Sequence, residues 1–231
     1  MIKHHPTPSW IYLGGLTLAT IAGVINAVGF LGQHHQALSH MTGTVTVLGY
    51  ELARAGYGVA LHALAILTAF FLGCLLSGMI IRQSSLRLGR RYGVALSLES
   101  ALLVAALFFL RRGANVGDYL AAMACGLQNA MVSTYSGSTM RTTHITGMVT
   151  DLGIACGHFF RGVEVDWFKF RIYGVLILGY FAGAVLGGLG YGNWGYDTLL
   201  FPAALSGIAG VGYTVIKHYE RSHRPHTKAP F

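Results

Sequence analysis

Charged side chains are scarce in this sequence. They make up 10% of its 231 residues, and only 8 residues are acidic. A soluble domain carries about 25% charged residues, so a water-facing surface of ordinary size is excluded. Hydrophobic residues make up 53% of the chain instead. The composition therefore predicts a protein that resides in a lipid bilayer.

Cysteines are also few, and their arrangement excludes a disulfide framework. The chain has 3 cysteines, an odd number, and Cys74, Cys125 and Cys156 lie inside apolar stretches without paired spacing. We interpret them as packing residues. The scattered histidines near both termini lack the spacing of metal ligands. The sequence predicts no metal site and no cofactor.

The sequence contains several long apolar runs. Six of them approach the roughly 20 residues that a helix needs to cross a bilayer. None alternates polar and apolar residues as membrane strands do, so all are predicted to be helices. The first run is long and lacks a clean basic start and cleavage site, so we predict a retained span rather than a signal peptide. The runs are residues 10–31, 57–81, 93–110, 119–137, 172–190 and 198–216.

The net charge of +8 comes from basic residues outside these runs. Clusters of Lys and Arg in short loops are typical of cytoplasmic segments of membrane proteins. The charge therefore indicates orientation in a bacterial inner membrane, with both termini cytoplasmic, and no nucleic-acid partner is predicted. The clusters are Arg82, Arg87, Arg90 and Arg91, then Arg161, Lys169 and Arg171, and finally Lys217, Arg221, Arg224 and Lys228.

An internal repeat is the most informative feature of the sequence. Residues 39–49 match residues 143–153 with seven identities in eleven positions, and Gly23 and Asn26 match Gly126 and Asn129. Further on, Gly73 and Gly78 match Gly183 and Gly188. The glycine spacing at 73/78, 179/183 and 183/187 predicts close contacts between helices. The duplication therefore spans most of the chain. The identical pairs are His40/His144, Thr42/Thr146, Gly43/Gly147, Val45/Val149, Thr46/Thr150, Leu48/Leu152 and Gly49/Gly153.

The repeat divides the chain into a tail (1–9), a first membrane repeat (10–110), a second (119–216) and a basic tail (217–231). The segments 43–55 and 147–160 fall short of the roughly 30 Å core. If they are re-entrant, every large basic cluster is cytoplasmic. We predict an all-α membrane protein with two related, inverted-topology halves, six net-spanning helices and two short broken or re-entrant helices. Alternatively, 37–55 and 141–160 span as broken helices.

The repeated His-x-Thr-Gly motif is predicted to interrupt a helix. Glycine permits unusual backbone angles, and Thr42 and Thr146 are candidate caps of the helices that follow. Exposed backbone in lipid must line a cavity or be buried in protein, and helix N-termini favour anions. These residues are predicted to bind a substrate: His40, Thr42, Gly43, His144, Thr146 and Gly147. The alternative is close helix packing with the histidines as interhelical partners.

Polar side chains inside apolar runs are further candidates. Asp151 and Glu99 are predicted to carry a coupling ion, because an unpaired carboxylate costs about 2.5–3.5 kcal/mol on insertion scales. A structural pair of Asp151 with Arg141 or His144 is the alternative. Amides suit both substrate binding and helix association, so Asn26, Gln128 and Asn129 are predicted binding residues with helix packing left open.

These motifs resemble a known family. The Ser-His-Met-Thr-Gly of residues 39–43, the Gly-Leu-Gln-Asn-Ala of 126–130 and the Arg-Thr-Thr-His-Ile-Thr-Gly of 141–147 are similar to those of the YoaK-like bacterial membrane proteins, a family of unknown function. The resemblance implies a bacterial inner-membrane protein with several helices. It implies no substrate.

Inverted repeats with broken helices are typical of secondary transporters. The predicted function is therefore transport of a small solute by alternating access, with an anionic or zwitterionic solute favoured and a proton as the candidate coupling ion. A passive channel or a structural protein is the alternative. An intramembrane enzyme is disfavoured because no nucleophile with a base at helical spacing is present. The expected partners are the bilayer and the solute, and a homo-oligomer is left open.

Overall fold

A computed structural model describes residues 9–81, 90–136 and 140–222. Within these ranges every regular element is helical. Most of the N-terminal tail, the basic residues Arg82 and Arg87, and the tail residues Arg224 and Lys228 lie outside them. The helices are α1 (Ser9–Leu31), α2 (Met41–Ala53), α3 (Tyr57–Ile80), α4 (Arg90–Leu110), α5 (Val116–Tyr135), α6 (Ile145–Phe160), α7 (Trp167–Trp194), a short 3-10 helix (Gly195–Leu199) and α8 (Leu200–Ser222).

Four helical stretches of the described residues are long and apolar enough to cross a membrane. They are Ser9–Leu31, Tyr57–Ile80, Arg91–Leu110 and Trp167–Ile216, and the last contains α7 and most of α8. The helix α5 is not among them, since its polar residues include Asp118, Gln128 and Asn129. These apolar helices indicate a membrane protein, as the composition predicts.

The helix α7 begins earlier than its apolar run predicts. Its N-cap is Asp166, whose Oδ1 accepts hydrogen bonds from the backbone N–H groups of Phe168 and Lys169 at 3.1 and 3.2 Å. A carboxylate that satisfies the first free amides of a helix stabilises the helix start. The cap therefore extends α7 beyond the apolar run, and Lys169 and Arg171 belong to the helix.

The long helices run between two ends of the bundle. We name the end where α1 begins end A and the end where it finishes end B. At end A the rings of Trp10 and Tyr135 lie 5.9 Å apart, so α5 finishes there. At end B the backbone N–H of Gln33 donates to the Tyr196 hydroxyl at 2.9 Å, and Arg111 pairs with Asp197 at 2.6 Å. The α4–α5 and α7–α8 connections therefore lie at end B.

Two pairs of described helices that are distant in sequence, α1 with α7 and α3 with α5, run parallel. In the first pair Gly15 of α1 lies beside Leu176 of α7, and Gly32, just after α1, lies beside Tyr196, just after α7. In the second pair His62 of α3 bonds Tyr119 of α5, and Cys74 bonds the Gly126 carbonyl further along. The two pairs run in opposite directions, because α1 is antiparallel to α5.

The parallel pairs cross where glycines let the backbones approach. A methyl group at Gly23 meets the Tyr180 carbonyl oxygen, and one at Gly183 meets that of Thr20. In the second pair, methyl groups at Gly126 and Gly73 meet the carbonyl oxygens of Phe70 and Met123. All of these contacts are equivalent under the sequence offsets of 103 residues for α1 and α5 and 110 for α3 and α7.

Not every glycine in the predicted contact spacing is used. The glycines at 73, 179, 183 and 187 lie against neighbouring helices, as predicted. Gly78 has open space at its missing side chain, so the prediction of a close contact there is wrong. The reason is positional: Gly78 follows Gly73 by five residues, which turns it to another face of α3.

Each short helix starts and finishes its excursion at one end of the bundle. The chain leaves α1 at end B, returns inward until Ser39 bonds Asn26, forms α2 and turns at Ala55 into α3, which starts at end B. The segment between α5 and α7 does the same at end A with α6, since the ring of Phe168 lies 6.2 Å from Tyr12. The helices α2 and α6 pack mainly on α3 and α7.

Among the described residues, the helices bury two apolar clusters, one toward each end. The cluster toward end B includes Ile25, Ile66 and Leu103, and the cluster toward end A includes Ile172 and Leu176. Several polar side chains are buried as well, among them Asn26, Glu99 and Gln128, and they define the candidate sites.

Candidate functional site

The repeated motif places a histidine at the start of each short helix. His40 is the N-cap of α2 and His144 the N-cap of α6, with nearly the same backbone angles, φ −88 and ψ 70 against φ −93 and ψ 57. The predicted caps Thr42 and Thr146 instead lie inside the helices, where their carbonyls accept from Thr46 and Thr150. That expectation is wrong because the helix begins one residue after the histidine, so the threonine is already in the first turn.

The motif glycine makes room for the histidine ring. A methyl group at Gly43 lies 2.5 Å from the His40 Nδ1 atom, and one at Gly147 lies 2.5 Å from the His144 Nδ1 atom. Both rings therefore fold back over the first turn of their own helix. The spacing of three residues is that of neighbours on one helix face. The motif is explained by this local arrangement in both halves.

We expect Gly43→Ala to be coupled energetically to His40. Alanine raises helix propensity by up to about 1 kcal/mol over glycine, but here the methyl group must displace the His40 ring. In a His40→Ala background the displacement is absent, so only the gain remains. The coupling is measured by thermal unfolding in detergent of the two single variants and the double variant, with Gly49→Ala as a control that has open space. Equal effects of Gly43→Ala in both backgrounds would contradict the ring placement.

Two of the predicted amides anchor the chain just before the short helices. The Asn26 side chain accepts from the Ser39 N–H at 3.0 Å and donates to the Ser39 hydroxyl at 2.7 Å, and both residues are buried. On α5, Gln128 donates to the Leu18 carbonyl at 3.0 Å and lies 3.5 Å from the Thr142 hydroxyl. In each half an amide on the first long helix therefore holds the residue that leads into the motif.

The remaining predicted binding residues are not gathered into one cavity. His40, Thr42, His144 and Thr146 are exposed, and α2 and α6 do not contact each other in the described part of the chain. Gly43 and Gly147 are half-buried under the histidine rings. Asn129, half-buried beside Gln128, has a buried Oδ1 atom without a described hydrogen-bond partner.

The two predicted coupling carboxylates lie in contrasting places. Asp151 is exposed on α6, and it lines a cavity of about 280 Å³ between α6 and α7 with Asp166, Lys169 and Tyr173. Glu99 lies near the middle of α4 and is completely buried. Burial separates the two: only Glu99 is enclosed by the bundle.

The environment of Glu99 contains few polar groups. Ser206 of α8 and Cys125 of α5 lie close to its carboxyl group. Among the described residues, neither carboxyl oxygen has a hydrogen-bond partner of good geometry. A buried carboxylate in that state is strongly unfavourable, so the group is expected to hold a proton or to meet a cation. This is the chemistry that the sequence-based coupling hypothesis requires.

An apolar cavity of about 380 Å³ opens between α1, α4, α5 and α8 near end A. The hydroxyls of Tyr92 and Tyr135 are buried there without a described partner. Leu96, which also lines the cavity, precedes Glu99 by three residues and so lies on the same side of α4. Glu99 lies about one helical turn from this lining residue and is not itself among the described residues that line the cavity.

A polar cluster at end B was missed by sequence reasoning. His34 follows α1, His62 lies in α3 and Asp118 lies in the first turn of α5, and their ligating atoms lie within 4.8 Å of one another. The signal was available for His62, since an ionisable residue inside an apolar run marks a functional candidate. The partner residues were not predictable, because they come from two other helices.

Comparison with known proteins gives the family of the chain. One family profile, described as "Protein of unknown function (DUF1275)", matches residues 14–212. The chain belongs to this family. The resemblance to YoaK-like membrane proteins that the motifs predict is thereby confirmed, and the DUF1275 match includes both motifs and Glu99. Neither the curated proteins nor the solved structures contain a match to the chain.

Proposed function

We propose that this DUF1275 protein transports a small solute across a bacterial inner membrane by alternating access, with Glu99 as the carrier of a coupling proton. The observation that carries the proposal is the burial of Glu99 in the middle of α4 without a described hydrogen-bond partner. Intramembrane carboxylates are costly, and proton relays in transporters are a common reason for keeping one. The protein is proposed to be no enzyme and to have no nucleic-acid partner.

The relation between the halves supports this mechanism. Under the sequence repeat, α1 corresponds to α5 and α3 to α7, and each helix is antiparallel to its mate. The glycine crossings of the two parallel pairs are also equivalent. We infer an inverted-topology duplication with six crossings, in which α2 and α6 are re-entrant. Such repeats with short helices are the design of many secondary transporters, which switch by rocking one repeat unit against the other.

Charge supports an orientation with end A in the cytoplasm. Arg161 precedes α7, and Lys169 and Arg171 lie in the first turns of that helix, which starts at end A. The helix α3 finishes and α4 begins at the same end, where Arg90 and Arg91 lie, whereas Arg82 and Arg87 are outside the described ranges. Basic residues near the ends of spans favour the cytoplasmic side. In this orientation both termini are cytoplasmic, and the apolar cavity near end A opens toward the cytoplasm.

The cavity lining favours a solute with an apolar portion. No charged side chain is among the described residues that line the 380 Å³ cavity. The anionic or zwitterionic end expected from the helix N-termini would then be met near the buried amides, where Asn129 has a free buried acceptor. We propose Asn26, Gln128, Asn129 and the motif residues as the polar part of the pathway, and the bilayer and solute as partners, with homo-oligomers compatible with this scheme.

Flux in proteoliposomes tests the proposal. Uptake of small anions, apolar amino acids and nucleobases is measured with and without a proton gradient, for the wild type, Glu99→Gln and Asp151→Asn. We expect gradient-driven uptake of one solute class, abolished in Glu99→Gln and retained in Asp151→Asn. Glu164→Gln, on an exposed residue, is the matched control.

Two results would decide against this function. If uptake is lost in Asp151→Asn and retained in Glu99→Gln, the coupling group is Asp151 of α6 rather than Glu99. Steady solute conductance that is unaffected by Glu99→Gln and by the gradient would favour a passive channel. Each variant is first checked for an unchanged elution volume in detergent, so that misfolding is not read as lost transport.

A further inference from the structure

The His34, His62 and Asp118 side chains converge at end B from three separate parts of the chain. His34 Nδ1 lies 2.7 Å from Asp118 Oδ2, and His62 Nε2 lies 3.6 Å from the same oxygen. The two histidine rings are 4.2 Å apart between centroids. Two imidazoles and one carboxylate form a donor set that suits zinc and related divalent transition metals.

The inner histidine is oriented with one nitrogen toward this centre. His62 is 7% exposed, and its Nδ1 atom is bonded to the Tyr119 hydroxyl at 3.1 Å. Its Nε2 atom is buried and has no hydrogen-bond partner among the described residues, since 3.6 Å is too long for one. Metal-binding histidines commonly have this arrangement, with the second nitrogen held by an outer hydrogen bond that fixes the ring.

The separations of the two histidine nitrogens from the Asp118 oxygen suit a small ion. Bonds of about 2.0–2.1 Å in tetrahedral geometry place ligand atoms roughly 3.3 Å apart. The two contacts to Asp118 bracket that separation, at 2.7 and 3.6 Å. The His34 side chain is 27% exposed, so the centre is accessible from end B for a fourth ligand such as water.

The equivalent place in the other half needs no polar group. The repeat offsets match His62 with Ile172 and Asp118 with Gly15, and these two residues pack directly against each other in the α1–α7 pair. Parallel pairing of the long helices is therefore achieved with apolar residues alone. The cluster is an addition to one half that helix packing does not require.

We propose that His34 Nδ1, His62 Nε2 and Asp118 Oδ2 bind one divalent transition-metal ion of the zinc class at end B. The ion links the α1–α2 connection to α3 and α5, with Tyr119 as a positioning residue behind His62. The sequence alone predicted no metal site, because the three ligands have no recognisable spacing. Metal binding is measured without any flux, so this proposal stands or falls separately from the transport function.

Zinc binding to the full chain in detergent tests the site. The protein carries an affinity tag without histidine, and bound zinc is measured by equilibrium dialysis with elemental analysis. We expect one ion per chain in the wild type and at least a 100-fold loss of affinity in His62→Gln and Asp118→Asn. Tyr119→Phe is expected to weaken binding about 10–100-fold. Magnesium, which prefers oxygen ligands, is expected not to compete.

The matched control is His35→Ala. His35 is adjacent to His34 but exposed, and its ring contacts the Phe30 carbonyl oxygen at 3.2 Å instead of the cluster. The His35→Ala variant is expected to bind zinc as the wild type does. Equal zinc binding by all variants would overturn the proposal and assign the zinc to histidines elsewhere in the chain. Absence of zinc binding by the wild type would also overturn it.

A spectroscopic measurement on the wild type guards against variants that fail to fold. Cobalt(II) replaces zinc, and its visible absorption distinguishes tetrahedral from octahedral coordination. A tetrahedral spectrum that zinc displaces supports the site. An octahedral, solvent-like spectrum at one equivalent of cobalt overturns it.

Discussion

Gly126→Ala is expected to lower the free energy of unfolding by about 1–3 kcal/mol, the usual cost of overpacking. The added methyl group meets the Phe70 carbonyl oxygen and lies 2.9 Å from the Phe70 carbonyl carbon. Because these are backbone atoms of α3, no side chain can rotate away, and the α3–α5 pair must separate. Thermal unfolding in detergent measures the effect.

The same substitution at the matched position in α1 provides a second measurement. Gly23→Ala brings a methyl group against the Tyr180 carbonyl oxygen and to 2.8 Å from the Ala184 nitrogen of α7. Its cost is expected to be similar to that of Gly126→Ala. Gly78→Ala and Gly188→Ala are the controls, since both positions have open space and alanine raises helix propensity by up to about 1 kcal/mol.

The four glycine substitutions test whether the close helix crossings hold both halves of the protein together or only one of them. If the crossings carry the packing of both halves, Gly23→Ala and Gly126→Ala destabilise while both control substitutions are neutral or stabilising. Equal responses at all four positions would contradict the close backbone approach. A cost at only one crossing would show that the halves have diverged in the way they hold together.

Helix positions could largely be predicted from the sequence, because they depend on local composition. The apolar runs 10–31 and 93–110 correspond closely to Ser9–Leu31 and Arg90–Leu110. The start of α7 was missed because a single capping residue, Asp166, extends the helix beyond its apolar part. Caps depend on a few polar atoms, which hydrophobicity does not register.

The motif shows a second limit of sequence reasoning. A helix break at His-x-Thr-Gly was predicted, and a helix does begin there in each half. The roles of its residues were assigned differently, since the histidine is the cap and the glycine leaves space for its ring. Only the three-dimensional structure distinguishes a glycine that bends the chain from one that accommodates a side chain of its own helix.

The candidate sites depend on long-range contacts that no local pattern encodes. Glu99 was predicted from its cost in lipid, and the structure adds that it is fully buried while Asp151 is exposed. The cluster of His34, His62 and Asp118 assembles residues up to 84 positions apart. A repeat identifies which helices correspond, but it does not identify which helices touch.

Asn26→Leu is expected to destabilise the protein by about 1–3 kcal/mol, more than Gln128→Leu. Asn26 is the acceptor for the Ser39 N–H and a donor to the Ser39 hydroxyl, and its removal leaves a buried backbone donor without its partner. The carbonyl that Gln128 bonds belongs to Leu18 inside α1, where the helix ladder also uses it. Its contact with Thr142 is long, at 3.5 Å.

Asn26→Leu is expected to change local order near α2 as well as the stability of the whole protein. Because Ser39 leads directly into His40, the loss of the Asn26 bonds frees the entry to α2, whereas α6 keeps its own anchor. Amide hydrogen exchange in detergent is therefore expected to quicken in residues 36–46 of Asn26→Leu and not in residues 142–150. Ser39→Ala is the matched control, since it removes the hydroxyl and keeps the backbone bond. An equal change of exchange in both short helices would mean that the side-chain amide of Asn26 does not position α2, and that other contacts hold the two short helices.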